Sequence, residues 1–400
     1  MHTSTALTAL YSRVISQTNG EALQFMKFQL VATCLFGLEH LLGEEIEALG
    51  YERVSTIDGR VTFMGDPEAV ALSNIFLRYA ERVYIKLGSF RAESFDELFE
   101  GTRSLPWGDF IGRDDAFPVK GHAIKSKLFS IPDCQAIVKK AVVRKMSEKY
   151  GISYFAESGV KYQIEFFILN DEATLMIDTS GIPLHKRGYR KESNAAPIRE
   201  TLAAAIAATS RPREEVLFWD PMCGSGTIAI EAAMKMRGIA PGVRRSFVAE
   251  EFPFVSRSIW KSAREEARDG ERETKFEVFA SDISAPCVSL TERNAKCAGV
   301  SDMIRVFNTD CRKISAPGRR ATIVTNPPYG ERMGSEREIC ELYRTMGIHF
   351  RSLAPWQVYI ITSHPHFEKL YGKRADKVRK LYNGMIECRL YQYFKNDKKI

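Results

Sequence analysis

From about residue 182 onward the chain alternates short apolar runs with helical ones, and no other feature restricts its folding more. "EVLFWD", "FEVFASD", "MIRVFNTD", "ATIVTNPPY", "WQVYIITS" and "MIECRLYQYF" read as strands, separated by helical patterns at 226–237, 285–298 and 336–352 and a short helix before the last strand. Strands that alternate with helices form a parallel, doubly wound α/β sheet. Ligands of such sheets sit outside the carboxyl ends of the strands. Three of those ends carry an acid: Asp220, Asp282 and Asp310.

The first acid opens "DPMCGSGTIAIEAA", a strand, turn and helix. Gly224 and Gly226 allow a tight turn and leave no Cβ between backbone and ligand. The helix that follows offers free N–H groups at its N-terminus. A dinucleotide fingerprint needs a third glycine, where "GSGTIA" has only Ala229, and the phosphate-cradling GxxxxGK[ST] is absent. The turn therefore suits a cofactor without phosphate, such as S-adenosylmethionine. Asp282 is placed to take both hydroxyls of a ribose, and Asp310 to accept from an adenine amino group.

"TNPPYGERMG", residues 325–334, sets two rigid residues directly after a buried strand. Proline cannot donate to a sheet ladder and restricts the residue before it, so the strand ends at Asn326 and the following carbonyls are held stiff. The Asn326 side-chain oxygen and the Pro327 carbonyl can accept the two N–H bonds of an exocyclic amine. That favours the tetrahedral nitrogen, whose lone pair can attack a methyl group. Tyr329 is expected to stack on a flipped-out base. No cysteine adjoins this loop in sequence, and Cys287 follows Pro286 on the first turn of a helix; both argue against methylation of a ring carbon through a covalent adduct.

The N-terminal half differs in kind. "KFQLVATC", the hairpin around Asp58-Gly59, "ERVYIKLGSF", "FPVKGHAIKSKL", "KYQIEFFIL" and "ATLMIDTS" read as strands, with helices after Phe36, Asp66, Ser94 and Ser130. This segregation predicts α+β. The net charge of +7 is uneven. Residues 1–180 hold 19 Lys+Arg and 24 Asp+Glu, whereas residues 181–400 hold 38 and 26. Inside the acidic half, residues 116–161 carry nine basic and three acidic side chains. A basic half and a basic island predict a polyanionic partner. Lys125, Lys127, Lys139, Lys140 and Arg144 of the island, and Lys186, Arg187 and Arg190 of the connector "HKRGYRKE", are the expected phosphate contacts. The eight cysteines form no CxxC pair, which predicts reduced thiols in the cytoplasm. His364 and His366 have no third metal ligand near them in sequence, so no metal is expected. No run approaches the ~18 apolar residues a membrane helix needs. Residues 1–26 are expected to be a disordered extension.

"DPMCGSGTIAIEAA", "FASDIS", "TNPPYGERMG", "LHKRGYR" and "APIRETLAAA", with "SFDELFEGTRSLPW" and "LFSIPDCQAIVKKAVVRK" upstream, resemble the THUMP-containing class I RNA methyltransferases over residues 27–395. The bacterial group similar to the large-subunit ribosomal RNA guanine-N2 methyltransferases is the nearest in pattern. The resemblance implies a ferredoxin-like opening (27–66), a THUMP RNA-binding domain (67–181) and a methyltransferase domain (182–400) with a mostly parallel, seven-stranded Rossmann-like sheet. It further implies that Asp220, Met222, Cys223, Gly224, Ser225, Gly226, Thr227, Asp282, Ile283, Asp310, Cys311 and Asn326 hold S-adenosylmethionine. Asn326, Pro327, Pro328 and Tyr329 would hold the target amine, a guanine N2 in 23S ribosomal RNA. Met222 departs from the general pattern by occupying a place often held by glycine, and an insertion near 238–275 is a candidate substrate contact. DNA adenine-N6 and protein glutamine-N5 methylation share the Asn-Pro-Pro-Tyr device. A non-catalytic RNA-binding protein is the reading from another class.

Overall fold

The computed structural model describes residues 27–190, 192, 197–315, 318–329 and 335–394. The expected N-terminal extension lies outside these residues, as does "GERMG" of the proline loop.

The N-terminal half builds one mixed seven-stranded sheet. β1 (Phe28–Cys34) lies between β3 (Arg60–Gly65) and β4 (Ala80–Arg91), and β2 (Arg53–Ile57) forms the edge beyond β3. The long β4 pairs with β1 through its first half and with β7 (Glu172–Asp178) through its second. β6 (Ile164–Leu169) and β5 (Val119–Ile124) complete the order. One sheet therefore runs through both predicted N-terminal domains, and residue 66 is not a break in it. Helix α1 (Glu39–Ala48) stops before Gly50, which adopts a left-handed φ of +86°. Asp66 caps α2 (Pro67–Phe76) by accepting from Ala69 N–H at 2.9 Å, with Pro67 at the first position. Ser94 and Glu97 form a reciprocal capping box on α3 (Phe95–Ser104). After a single helical turn, α4 (Trp107–Phe110), α5 (Ile131–Tyr150) closes the unit with Cys134, Val138, Val142 and Met146 buried on one side.

Beyond the connector, α6 (Glu200–Thr209) leads into the second seven-stranded sheet. β8 (Leu217–Asp220), β9 (Val278–Asp282), β10 (Ile304–Asn308), β11 (Ala321–Thr325) and β12 (Gln357–Thr362) are parallel. Their order is β10-β9-β8-β11-β12, so the chain reverses direction between β8 and β11, the point where ligands bind in such sheets. α7 (Thr227–Arg237), α9 (Ala285–Ala298), α10 (Glu336–Ser352) and α11 (Phe367–Tyr371) are the helices that follow these strands. The sheet ends on an antiparallel hairpin of β13 (Lys377–Asn383) and β14 (Ile386–Tyr393). β13 was not anticipated, because "KVRKLYN" carries three cations and little apolar pattern.

The insertion also differs from expectation. It holds an amphipathic helix, α8 (Arg257–Asp269), capped by Ser256. Its aromatics face the other domain: Phe252 stacks on Tyr162 at 4.4 Å, and Phe254 meets Phe28 and Phe110 edge-on. Phe252 and Phe254 are buried. Through these two aromatics the insertion takes part in the packing between the two halves. A second tie is electrostatic. Glu231 of α7 is fully buried between Arg78 at 3.5 Å and Arg187 at 3.6 Å, and it accepts from Tyr189 Oη at 3.1 Å.

Candidate active site

The carboxyl ends of the parallel strands open into a cavity of about 530 Å³, within the range of small-molecule sites. All the residues expected to hold the cofactor except Gly226, and all four of the Asn326–Tyr329 segment, line it.

The glycine turn is held from three sides. Gly224 N–H donates to Asp282 Oδ2 at 2.9 Å, and Ser284 N–H donates to Oδ1 at 2.9 Å. From α9, Thr291 Oγ1 donates to Gly224 O at 3.0 Å and Asn294 Nδ2 to Ser225 O at 2.9 Å. Gly224 and Gly226 both adopt left-handed φ, +56° and +80°. A Cβ on Gly226 would stand 2.6 Å from Thr291 Cγ2. Gly226 itself sits behind the turn and shapes it.

Asp220 is buried at the end of β8. It accepts from Thr325 Oγ1 at 2.9 Å and from Met222 N–H at 3.3 Å. Burial raises its carboxyl to about 7 despite these bonds. A buried carboxylate without a countercharge suits a ligand that brings its own positive charge. S-adenosylmethionine carries a sulfonium and an ammonium, so the residues present fit that group. Asp310 lines the cavity but is already engaged. Arg312 donates to it from Nε at 2.9 and 3.0 Å and from its backbone N–H at 2.9 Å, which holds the carboxyl down at about 2. An adenine amino group would have to share those oxygens. Ile283, 68% exposed, offers an apolar surface beside Asp282.

At the other side of the cavity stands Asn326. Its Oδ1 is buried and has no hydrogen-bond partner among the described residues, which is costly unless a ligand supplies the donor. The carbonyl of Pro328 accepts from Tyr343 Oη at 2.8 Å, which also meets Thr362 Oγ1 at 2.9 Å. The proline loop is therefore pinned by α10 and β12. Tyr329 is only 5% exposed, and its Oη meets Asn383 Nδ2 at 3.4 Å and Cys388 Sγ at 3.8 Å. A base can reach only the part of its ring that faces the cavity. The expectation that no cysteine adjoins the loop holds in sequence and fails in space. Cys388 is fully buried behind Tyr329, out of reach of a base, while Cys223, Cys287 and Cys311 line the cavity. Burial pushes the Cys311 thiol up to about 12, away from nucleophilic use.

Sequence reasoning missed Pro197, Ile198, Ser284, Arg312 and Leu342, which also line the cavity, and the turn-holding Thr291 and Asn294. The first two were visible in "APIRETLAAA" as a rigid entry to α6; the others carry no local signal. His364 does have possible co-ligands. Glu336 and Cys340 of α10 bring their donor atoms within 4.8 Å of its ring nitrogen and of each other. Its Nδ1 accepts from His366 N–H at 3.2 Å, which leaves Nε2 facing Glu336 at 3.0 Å.

The basic residues divide. Lys125, Lys127, Lys140, Arg144 and Lys186 are exposed, Lys127 pairing with Glu93 and Arg144 with Glu148 at 3.5 Å. Phe129, 82% exposed, stands in the same loop as Lys125 and Lys127. Lys139 is instead folded onto Phe117 at 3.7 Å and paired with Glu157. Arg187 is 4% exposed and serves Glu231 and the Leu184 and Arg78 carbonyls. Arg190 spans Glu200 at 3.0 Å, Thr227 Oγ1 at 3.0 Å and Ile198 O at 2.9 Å. These three hold the fold together and do not present a cation to a phosphate.

Known proteins share this arrangement. The family model "RMKL-like, methyltransferase domain" matches residues 187–392, "RlmL ferredoxin-like domain" residues 29–84 and "THUMP domain" residues 92–178. The "Putative RNA methyltransferase YpsC" of Bacillus subtilis is 42% identical over 371 residues, 92% of this chain and 96% of that one. The "Ribosomal RNA large subunit methyltransferase K/L" of Psychromonas ingrahamii is 34% identical over 89% of this chain, which spans only 49% of that longer protein. The solved structure "SMU.472, a putative methyltransferase complexed with SAH" superposes with a TM-score of 0.87 at 38% identity, covering 93% of this chain and 99% of that one.

Proposed function

Since the chain belongs to the THUMP-containing, RMKL-like methyltransferase family, we propose that it methylates the N2 amino group of a guanine in 23S ribosomal RNA. It is an S-adenosylmethionine-dependent RNA methyltransferase. The finer assignment is supported by the name of the K/L relative and by one observation above all. Among the described residues, Asn326 Oδ1 is a buried acceptor without a donor, in the same cavity as the glycine turn.

An exocyclic amine is a poor nucleophile because its lone pair is delocalised into the ring. Asn326 Oδ1 and the Pro327 carbonyl accept its two N–H bonds and favour the tetrahedral nitrogen, which frees the lone pair. Acceptors already in place need no reorganisation as positive charge develops on nitrogen. Tyr343, through its bond to the Pro328 carbonyl, keeps that loop from relaxing. S-adenosylmethionine, once bound on Asp220, Asp282 and the glycine turn, supplies the electrophilic methyl group. The amine nitrogen would bond to that methyl carbon as the carbon–sulfur bond breaks with its electron pair left on sulfur, S-adenosylhomocysteine would be the leaving group, and the nitrogen would lose one proton to solvent.

The test is nucleoside mass spectrometry of RNA from cells with and without the gene, followed by methyl transfer in vitro onto the unmodified RNA. Loss of N2-methylguanosine from 23S RNA, restored by the purified protein, is the expected result. Loss of an N6-methyladenine from DNA or RNA instead would overturn the guanine assignment.

A further inference from the structure

The β13–β14 hairpin has an uncommitted tip. Gly384 turns it with a φ of +66°, and Met385, next to it, is 96% exposed, the largest value among the exposed large apolar side chains. A methionine so exposed adds nothing to the core. Asn383, on the other side of the turn, places this tip. Its Nδ2 meets Tyr329 Oη at 3.4 Å, and its Oδ1 accepts from Arg199 N–H at 3.4 Å, directly after the cavity-lining Pro197 and Ile198. The turn that carries the bare methionine is thus anchored, through Asn383, to Tyr329 of the proline loop and to Arg199 at the entry to α6. The strand leading to it is basic: residues 373–389 hold six Lys+Arg and two Asp+Glu. Lys377 and Lys380 are exposed, and Lys380 pairs with Glu387 at 2.8 Å, a surface pair with which a phosphate would compete. That charge selects a polyanion over an apolar protein surface.

We propose that this hairpin is a base-stack wedge. Its basic strand lies along RNA phosphates, and Met385 enters the stack where the target nucleotide leaves it for Asn326. The inference rests on the RNA-methylating reading above. Enzymes that act on a base must take it out of the stack, and the gap left behind costs stacking energy. Apolar side chains inserted between bases offset such costs in other nucleic-acid complexes. Methionine suits the place, because its unbranched, polarisable chain adapts to irregular gaps.

The test uses the full chain and an RNA fragment around the mapped nucleotide, annealed to its complement so that the target is paired. A second duplex carries an abasic site opposite the target. Met385→Ala should slow single-turnover transfer to the paired target about tenfold and stay within about twofold of the unaltered enzyme on the abasic duplex. Met385→Leu should restore most of the rate, and binding of S-adenosylhomocysteine should not change. Joint replacement of Lys377 and Lys380 by alanine should flatten the salt dependence of duplex binding by more than one logarithmic unit per logarithmic unit of salt. Equal losses on both duplexes, no loss on either, or no transfer to the paired target by the unaltered enzyme would overturn the wedge. Absence of methyl transfer to any RNA would overturn the proposed function itself, and the wedge with it.

Discussion

Asn326→Ala separates the two roles a residue at a strand end can have. If its oxygen accepts from the target amine, single-turnover transfer should fall by roughly 10²–10³, with cofactor binding nearly unchanged because Asp220 and Asp282 remain. If Asn326 only ends a strand, the melting temperature should drop while the rate of the folded enzyme stays near normal. Its Oδ1 makes no hydrogen bond among the described residues, so little folding stability depends on it, and the first outcome is expected. Asp220 predicts a pH dependence. Its folded-state carboxyl titrates near 7, well above the ordinary ~3.9. Below about pH 4 both folded and unfolded chains hold the proton and nothing is lost. Between about 4 and 7 only the unfolded chain releases it, so the ligand-free fold weakens as pH rises. A cationic cofactor prefers the carboxylate, so calorimetry should find S-adenosylmethionine bound about tenfold more tightly at pH 8 than at pH 6. Asp220→Asn should flatten that dependence.

α7 carries the glycine turn at one end and Glu231 in its middle, so the element that shapes the cofactor site also ties the two halves together. Glu231→Ala would remove the buried carboxylate that Arg78 and Arg187 share, and breaking a buried ion pair by deleting one partner typically costs about 3–5 kcal/mol. Denaturant unfolding should show a loss of that order, and proteolysis should show the halves loosened. Other elements reached their places for reasons that no local pattern carries. α8 has a serine cap and an apolar stripe of Trp260, Ala263 and Ala267, yet it falls in a stretch whose length suggested only an insertion. β13 is strand because β14 pairs with it from Lys377 to Asn383.

Across the whole molecule, three exposed cations from different parts of the N-terminal half and connector, Lys125, Lys140 and Lys186, remain as the phosphate contacts we propose. Replacing all three with alanine should flatten the slope of log affinity against log salt by about two, at roughly 0.7 per contact to single strands. Lys139→Ala should leave that slope unchanged and lower stability, since its charge is spent on Glu157 and the Phe117 ring. Filter binding across a salt series distinguishes the two variants.

The α/β sheet, its acidic strand ends, the glycine turn and the proline loop were legible in the sequence because each depends on neighbours a few residues away. Periodicity sets strands and helices, a missing N–H stops a ladder, and a missing Cβ permits a left-handed turn. Which cations reach solvent could not be read that way. Arg187 and Lys186 are adjacent in the chain, yet one is buried against Glu231, 44 positions further on, and the other is exposed. The same holds for Asn383 behind Tyr329, Thr291 over the glycine turn and Tyr343 under Pro328. Burial and partnership are properties of the packed chain, fixed by which distant elements meet, and only the tertiary structure decided them.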